Sequence, residues 1–333
     1  MTIPAHLQSL RLPLIGAPMY IVSNPKLVIA QCQAGIVGSV PALNARDGDG
    51  GGIMLEVWLK QITEALDAWD QANPDTPAAP FAVNQIVHKS NERLERDIKI
   101  CARWKVPIWI TSLGAREEVN EMAHQAGSIV LHDVISNRFA RKAIEKGADG
   151  LIAVAAGAGG HTGAQSPFAL VQEIRQWFDG PLALSGAIAS GASLLAAQAA
   201  GADFGYMGTP FIATKEADAP QAYQDMLCQA QAQDIVTTAA VTGVNGNYLS
   251  ASLEATGVDP GTIGQLSLLG DKTKPGPKPW LDIWSAGQGV GSIDEVVPAK
   301  DLIGRIADEY EAARKRMTRI TTPRTIQSCK DTS

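Results

Sequence analysis

The sequence predicts an α/β protein built as an eight-stranded (β/α)8 TIM barrel, with a smaller, partly helical insertion near the C-terminal end. Three observations indicate this fold. Eight short apolar runs lie between residues 13 and 208, longer amphipathic stretches separate them, and the alternation stops after Thr214. Such alternation is typical of parallel sheets. A doubly wound sheet is the alternative, because it shows the same pattern.

The apolar runs predict the strands, and the stretches between them predict helices because their apolar residues recur at three- and four-residue spacing. Two helices end in nearly the same phrase, at residues 147–149 and 201–203, where a glycine stops the helix before the next strand. The predicted strands cover residues 13–18, 35–40, 81–87, 107–112, 128–133, 150–156, 181–186 and 204–208. The predicted helices include residues 91–104, 115–126, 136–146, 167–178 and 190–200.

The stretch 217–280 departs from this pattern. It predicts one helix followed by polar and glycine-rich loops, forming an insertion on the substrate side of the barrel. The barrel domain is then residues 1–216 together with 281–333. A helix over 299–316 completes the fold, and we expect a frayed tail after it.

Composition limits the kind of protein. With 333 residues, 45% of them hydrophobic, the chain can bury a large core. Its 28 basic and 34 acidic residues give a net charge of -6, and the basic residues form no stripe along the sequence. Both features argue against a nucleic-acid partner. No apolar run reaches the roughly 18 residues of a membrane span and no signal peptide is recognisable, so we expect a cytoplasmic protein. The scattered cysteines predict neither a disulfide framework nor a metal site; they are Cys32, Cys101, Cys228 and Cys329.

The strongest functional signal is the segment 157–163, which has four glycines around His161 directly after the sixth strand. Glycine lets the backbone approach a planar ligand and adopt positive φ. Loops after barrel strands form active sites, so we expect His161 to face the barrel mouth. The alternative is a surface loop with an incidental histidine.

Two further turns follow the seventh and eighth strands, at 185–191 and 207–210. In barrels these loops and the start of a short helix often bind phosphate through free N–H groups. They therefore predict a phosphorylated ligand, with ordinary turn chemistry as the alternative.

Other strand ends offer weaker candidates. Residues 16–19 and Asn84 provide an apolar shelf and an amide for a heteroaromatic ring, although a methionine such as Met19 is often a core residue. His132 and Asp133 end the fifth strand and either face the mouth or form a structural pair. We expect the other histidines to be exposed; these are His6, His88 and His124.

Taken together in order, six phrases resemble the nitronate monooxygenases, formerly called 2-nitropropane dioxygenases, over nearly the whole chain. Flavin-type enoyl-acyl-carrier-protein reductases and some NADH:quinone reductases share this FMN-dependent TIM-barrel superfamily and look similar. The matching phrases are GAPM at 16–19, VNQ at 83–85, GAGGHTG at 157–163, LSGAIASG at 184–191, MGTPFIAT at 207–214 and WSAGQGVG at 284–291.

The resemblance implies FMN as cofactor, with its phosphate on the turns after the seventh and eighth strands, and His161 as the catalytic residue. Met19 and Asn84 would lie near the ring, with the WSAGQ segment close to it. The cofactor-binding residues that we expect are Ala17, Pro18, Met19, Asn84, Asp133, Ala156, Gly160, Ser185, Gly186, Ala187, Met207, Gly208, Thr209, Ser285, Gly287 and Gln288.

Three positions depart from the family pattern. Ala187 stands where many relatives have a second glycine, Asp133 where some carry lysine, and Val154 where some carry a polar ring contact. We expect Ala187 to be tolerated and to present its N–H to phosphate if its φ is negative. An acid at Asp133 would change the charge near the ring.

The implied activity is FMN-dependent oxidation of alkyl nitronates, and of nitroalkanes, with O2 to a carbonyl compound and nitrite. An imidazole such as His161 can remove the acidic α-proton of a nitroalkane. One alternative is an NAD(P)H-dependent reductase of quinones or enoyl thioesters, and another is a flavin-binding protein without turnover. The expected partners are a small-molecule substrate and O2, with no nucleic acid and no membrane; a homodimer is left open.

Overall fold

Eight parallel strands close into a barrel in the computed structural model, which describes residues 3–47, 53–264 and 277–321. The strand order is β1-β9-β8-β6-β5-β4-β3-β2, and a parallel bridge from Ile15 to Val37 joins the two ends. The barrel strands are β1 (Leu14–Gly16), β2 (Gly38–Pro41), β3 (Phe81–Ile86), β4 (Ile108–Ser112), β5 (Ile129–Val134), β6 (Gly150–Val154), β8 (Leu182–Ser185) and β9 (Phe204–Met207). The remaining described strands are β7 (Gly160–His161), β10 (Ile235–Thr238) and β11 (Gly246–Leu249).

The predicted barrel is confirmed, and the doubly wound sheet is wrong because the sheet closes on itself. Each predicted apolar run overlaps one barrel strand, with β2 and β5 ending one residue beyond their runs. The bounds of each predicted helix lie within three residues of an observed one. The described helices are α1 (Ala5–Gln8), α2 (Pro25–Gln33), α3 (Ile53–Ala72), α4 (Leu94–Arg103), α5 (Glu117–Gln125), α6 (Asn137–Glu145), α7 (Pro167–Arg175), α8 (Gly191–Ala200), α9 (Thr209–Ile212), α10 (Gln221–Gln229), α11 (Ser250–Thr256) and α12 (Ala299–Thr321).

Helix ends follow local capping chemistry. Ser136 accepts a hydrogen bond from the Phe139 N–H at the start of α6, and Ser190 forms a capping box with Ser193 at the start of α8. Such caps satisfy N–H groups that have no partner inside the helix. None of the described helices is long and apolar enough to cross a membrane.

Apolar side chains fill the barrel interior in alternation along the strands, as the pleat requires. Leu7 of α1 belongs to this interior cluster, so α1 covers the amino end of the barrel and leaves the carboxyl ends for a cavity. A larger cluster packs between the strands and the surrounding helices. The interior cluster is Leu7, Ile15, Val37, Ala82, Ile108, Ile110, Leu131, Ile152, Ala183 and Phe204.

The repeated phrase that ends two helices has a structural role. Asp149 Oδ2 accepts hydrogen bonds from the Val130 N–H and from His124 Nε2. Asp203 Oδ2 likewise accepts from the Leu182 N–H and an Arg175 guanidinium. Each aspartate thus ties the neighbouring strand to a helix at the amino end of the barrel.

Of the histidines expected to be exposed, His124 is exposed and His88 is half-buried, and both have hydrogen-bond partners. His124 bonds to Asp149 at 2.9 Å, and His88 Nδ1 lies 2.8 Å from Ser90 Oγ. Neither partner was recognised from the sequence, although Ser90 is only two positions away. The His6 side chain lies outside the described residues.

The stretch 217–280 contains more regular structure than one helix with loops. After α10, strands β10 and β11 form an antiparallel hairpin, and β11 also pairs with β7. These strands have only four residues each, and β11 finds one partner 85 positions away in sequence, because Gly246 pairs with His161. Residues 265–276 and the tail after 321 lie outside the described residues. The final helix extends five residues beyond the predicted end, from 316 to Thr321.

Candidate active site

A cavity of about 290 Å³ opens at the carboxyl ends of the barrel strands. Every barrel strand, or the loop that follows it, contributes to the wall, and the stretch 280–289 covers one side. Active sites of (β/α)8 barrels lie at this end. The structure brings most of the predicted site residues to this cavity, namely Ala17, Pro18, Met19, Asn84, Asp133, Gly160, His161, Ser185, Gly186, Ala187, Gly208, Thr209, Ser285 and Gly287.

Three predicted residues do not line the cavity. Met207 is fully buried in the cluster between strands and helices, because its neighbour Tyr206 takes the inward position on β9. Ala156 bonds through its N–H to the Gln165 carbonyl. Gln288 is exposed, and its backbone N–H donates to the loop after β6.

The loops around the cavity are hydrogen-bonded to one another. The Gly157 carbonyl accepts from the Ala187 N–H at 3.2 Å and from the Gln288 N–H at 2.9 Å. The Gly287 N–H donates to Thr209 Oγ1 at 2.9 Å. These bonds join the loops after β6, β8 and β9 to the segment 285–289.

Close packing between loops accounts for part of the glycine cluster at 157–163. A Cβ on Gly159 would lie 2.9 Å from the Gly287 nitrogen, and one on Gly163 would lie 2.3 Å from the Val154 oxygen. Gly160 differs, because its φ is +70° and a Cβ there would meet nothing nearer than Trp280 at 3.8 Å. Two glycines therefore serve loop packing, whereas Gly160 leaves space in the cavity.

The turn after β8 contradicts one expectation. Ala187 has a φ of +55°, not a negative value, because it follows Gly186 at +135° in a tight turn. A left-handed conformation costs an alanine about 1 kcal/mol. Its N–H is also bonded to the Gly157 carbonyl. Among the described residues, the N–H groups of Gly186, Gly208 and Thr209 have no such partner.

His161 lies in the cavity wall on β7, where pairing with β11 holds its backbone. Its Nε2 is 3.1 Å from Thr242 Oγ1, and its ring meets Trp280 edge to face at 5.1 Å between centroids. Burial lowers the pKa of His161 to about 4. The imidazole is therefore neutral near pH 7 and can accept a proton.

Asp133 lines the cavity from β5, the strand beside β6, and belongs to a chain of polar groups. Asn84 Nδ2 donates to the Ile110 carbonyl and to Ser112 Oγ. The Ser112 hydroxyl and the Leu113 N–H in turn bond to the Asp133 carboxylate and oppose the effect of burial, which still raises the pKa of Asp133 to about 6. The cavity thus contains an acid whose charge changes near neutral pH.

His132 does not share this environment. It faces the helix layer, is buried and lies 2.6 Å from Thr111 Oγ1 through Nδ1. Burial lowers the pKa of His132 to about 4. Of the two candidates that end the fifth strand, only Asp133 therefore lines the cavity.

Several lining residues were missed from the sequence. Trp280 enters with a φ of +68° and stacks on Tyr248, and nothing local in the sequence signals this position. Tyr206 could have been found from strand alternation, since it lies beside Met207. Tyr223 stacks on Trp284 at 5.1 Å, and its hydroxyl donates to the Ser285 carbonyl, which holds the segment 284–287.

The barrel with its cavity is the fold of many enzymes, and comparison with known proteins shows that this one is an enzyme of the oxidoreductase type. Residues 4–256 match the family described as nitronate monooxygenase. The chain belongs to this family. Its members are flavin enzymes in general.

Individual relatives are distant. A nitronate monooxygenase of Paraburkholderia phytofirmans is 26% identical over 298 residues, with 74% of this chain and 76% of the relative covered. An octahydro-indene-carboxyl-CoA dehydrogenase of Rhodococcus jostii is 26% identical over 241 residues, covering 72% of this chain. The matched stretch spans 63% of that relative, less than two thirds of its length. A nitroalkane oxidase structure from Streptomyces ansochromogenes superposes with a TM-score of 0.73 at 23% identity, over 94% of this chain and 100% of the other, and shows the shared fold.

Proposed function

We propose that the protein is an FMN-dependent nitronate monooxygenase that oxidises alkyl nitronates with O2 to a carbonyl compound and nitrite. The observation that carries this proposal is a half-buried, neutral His161 in the wall of the barrel-mouth cavity of a chain from this family. Nitroalkanes would be a second substrate class, after removal of their α-proton.

The cavity fits FMN in two respects. The unpartnered N–H groups of Gly186, Gly208 and Thr209 lie together at one side and would hold the phosphate, since N–H groups of this kind bind anions. Asp133 is the acidic residue among the described lining residues, and it lies on β5 rather than on these turns.

The ring would lie over Met19 and beside Asn84. Both Nδ2 hydrogens of Asn84 are used within the protein, so its Oδ1 is left to accept a hydrogen bond from a ligand. Oxidation of the nitronate and electron transfer to O2 are the chemistry that FMN supplies when bound.

His161 would take the α-proton of a neutral nitroalkane. The burial that keeps it neutral also makes its protonated form unfavourable, so it is a weak base. Nitronates need no proton removal. We therefore expect nitronates to be better substrates than the corresponding nitroalkanes.

An NAD(P)H-dependent reductase of quinones or enoyl thioesters is the second candidate. It is favoured by the Rhodococcus relative, whose name includes a carboxyl-CoA dehydrogenase. Consumption of NADH or NADPH distinguishes the reductase from the monooxygenase. A cytoplasmic location and a homodimer remain predictions.

The deciding experiment uses the purified protein under anaerobic conditions. Its flavin is identified by absorbance and mass, and it is mixed separately with ethylnitronate, NADH and NADPH. Bleaching by ethylnitronate alone supports the monooxygenase, whereas rapid bleaching by a nicotinamide moves the assignment to the reductases. A protein that binds no flavin contradicts the cofactor proposal.

A further inference from the structure

Thr242 is a buried residue of the turn between β10 and β11, with no exposed surface. Its Oγ1 lies 3.1 Å from His161 Nε2 and 3.2 Å from the Val244 carbonyl oxygen. A hydroxyl has one hydrogen to donate. A carbonyl oxygen can only accept, so the bond to Val244 uses this hydrogen, and Oγ1 is left to accept from His161.

We propose that Thr242 is a positioning residue that holds His161 as the tautomer protonated on Nε2, leaving Nδ1 as the basic nitrogen. The proposal rests on the proposed function in one respect, namely that His161 acts as a base. No described residue forms a hydrogen bond with Nδ1. A neutral imidazole has one donor and one acceptor nitrogen, and the bond at one of them decides the other.

The surroundings of the ring support this orientation. Gly246 and Asn247 pair with His161 and Gly160, and the Thr162 N–H donates to the Asn245 carbonyl at 3.1 Å. These bonds fix the backbone of His161 against the strand that follows the Thr242 turn.

Trp280 restricts the ring itself. It meets the His161 ring at an interplanar angle of 87°, and Tyr248 stacks against Trp280 at 5.6 Å. The imidazole therefore lies between an aromatic ring and the Thr242 hydroxyl. Both neighbours belong to the stretch 217–280, so this stretch sets the orientation of a residue on a barrel loop.

The proposal predicts different effects of a Thr242 substitution on two substrates. Thr242→Val keeps the side-chain shape but removes the acceptor, so Nδ1 is no longer held in place for proton removal. We expect kcat/KM for nitroethane to fall roughly tenfold, while kcat/KM for ethylnitronate stays within about twofold, because the nitronate is already deprotonated. Thr242→Ser retains the hydroxyl and should restore the nitroethane value.

The tautomer is measured directly on the flavin-loaded protein by NMR with ¹⁵N-labelled histidine, and His161→Gln assigns the signal. A hydrogen on Nε2 in the wild type and in Thr242→Ser is the expected result. A hydrogen on Nδ1 in the wild type overturns the proposal. An equal fall in kcat/KM for nitroethane and for ethylnitronate in Thr242→Val, with unchanged flavin content, also overturns it.

Failure of the proposed function gives a different pattern. If His161→Gln turns over nitroethane as fast as the wild type, the base role is wrong. The NMR measurement still decides the tautomer in that case, because it needs no turnover.

Discussion

Asn84 Nδ2 donates a hydrogen bond to Ser112 Oγ over 2.8 Å at the barrel mouth. Because the serine oxygen receives this hydrogen, its own hydroxyl is directed to Asp133, with which it bonds. An amide on β3 thus orients an acid on β5 through a residue on β4. The charge of this acid near neutral pH leads to the first prediction.

Asp133→Asn should change the pH dependence of stability. Burial raises the pKa of Asp133 from 3.8 to about 6, so the folded state binds the proton more tightly than the unfolded state. This contribution to stability is present at pH 4 and is lost as pH rises through about 6. Relative to wild type, the free energy of unfolding of the variant should rise by on the order of 2 kcal/mol between pH 4 and pH 7.

Urea unfolding of the flavin-free protein at several pH values measures this difference. Asp67→Asn on the exposed side of α3 is the matched control and should follow the wild type. A parallel offset between Asp133→Asn and wild type at all pH values would contradict the raised pKa.

His161→Asn tests the base. We expect unchanged flavin content, turnover of neutral nitroalkanes reduced by about 10² or more, and a much smaller change for nitronates. Steady-state oxygen consumption measures both substrates. His88→Asn, at a half-buried histidine that does not line the cavity, should behave as wild type. Unchanged nitroalkane turnover in His161→Asn would remove the base role.

Ala187→Gly should not destabilise the fold, although most alanine-to-glycine changes do. At a φ of +55° the glycine avoids a steric cost of about 1 kcal/mol, which offsets its greater freedom in the unfolded chain. Ala197→Gly, inside α8, should lower the free energy of unfolding by about 1 kcal/mol. Thermal unfolding of both variants tests the contrast, and equal losses would show that residue 187 is not strained.

Gly159→Ala should weaken flavin retention while leaving the barrel folded. The new Cβ would lie 2.9 Å from the Gly287 nitrogen and 3.1 Å from the Ala286 carbonyl carbon, so the two loops must separate. Flavin absorbance after dialysis and far-UV circular dichroism report on the two effects. Gly304→Ala has no atom within 4 Å of its Cβ and serves as control; full flavin retention in Gly159→Ala would show that the loops move without consequence.

Much of the site could be predicted because its residues follow barrel strands. Parallel strands place their carboxyl ends at one edge, so Asn84, Asp133 and Gly186 meet there whatever the details of the loops. Met207 does not line the cavity, because the side-chain alternation of β9 brings Tyr206 inward instead, and its contact with the cofactor stays a prediction. The condition of a negative φ at Ala187 is not met, because this residue follows Gly186 in a tight turn and its N–H bonds to Gly157 in another loop, and neither feature is visible in the local sequence.

The sequence by itself determined the barrel, its helices and the loop that contains His161, since periodicity and glycine placement are local properties. Only the tertiary structure decided that Thr242 and Trp280 contact this histidine, and that β11 pairs with β7. Those contacts join residues about 80 or more positions apart. They form because the hairpin of β10 and β11 satisfies backbone groups of the glycine loop, and no local pattern in either segment specifies its partner.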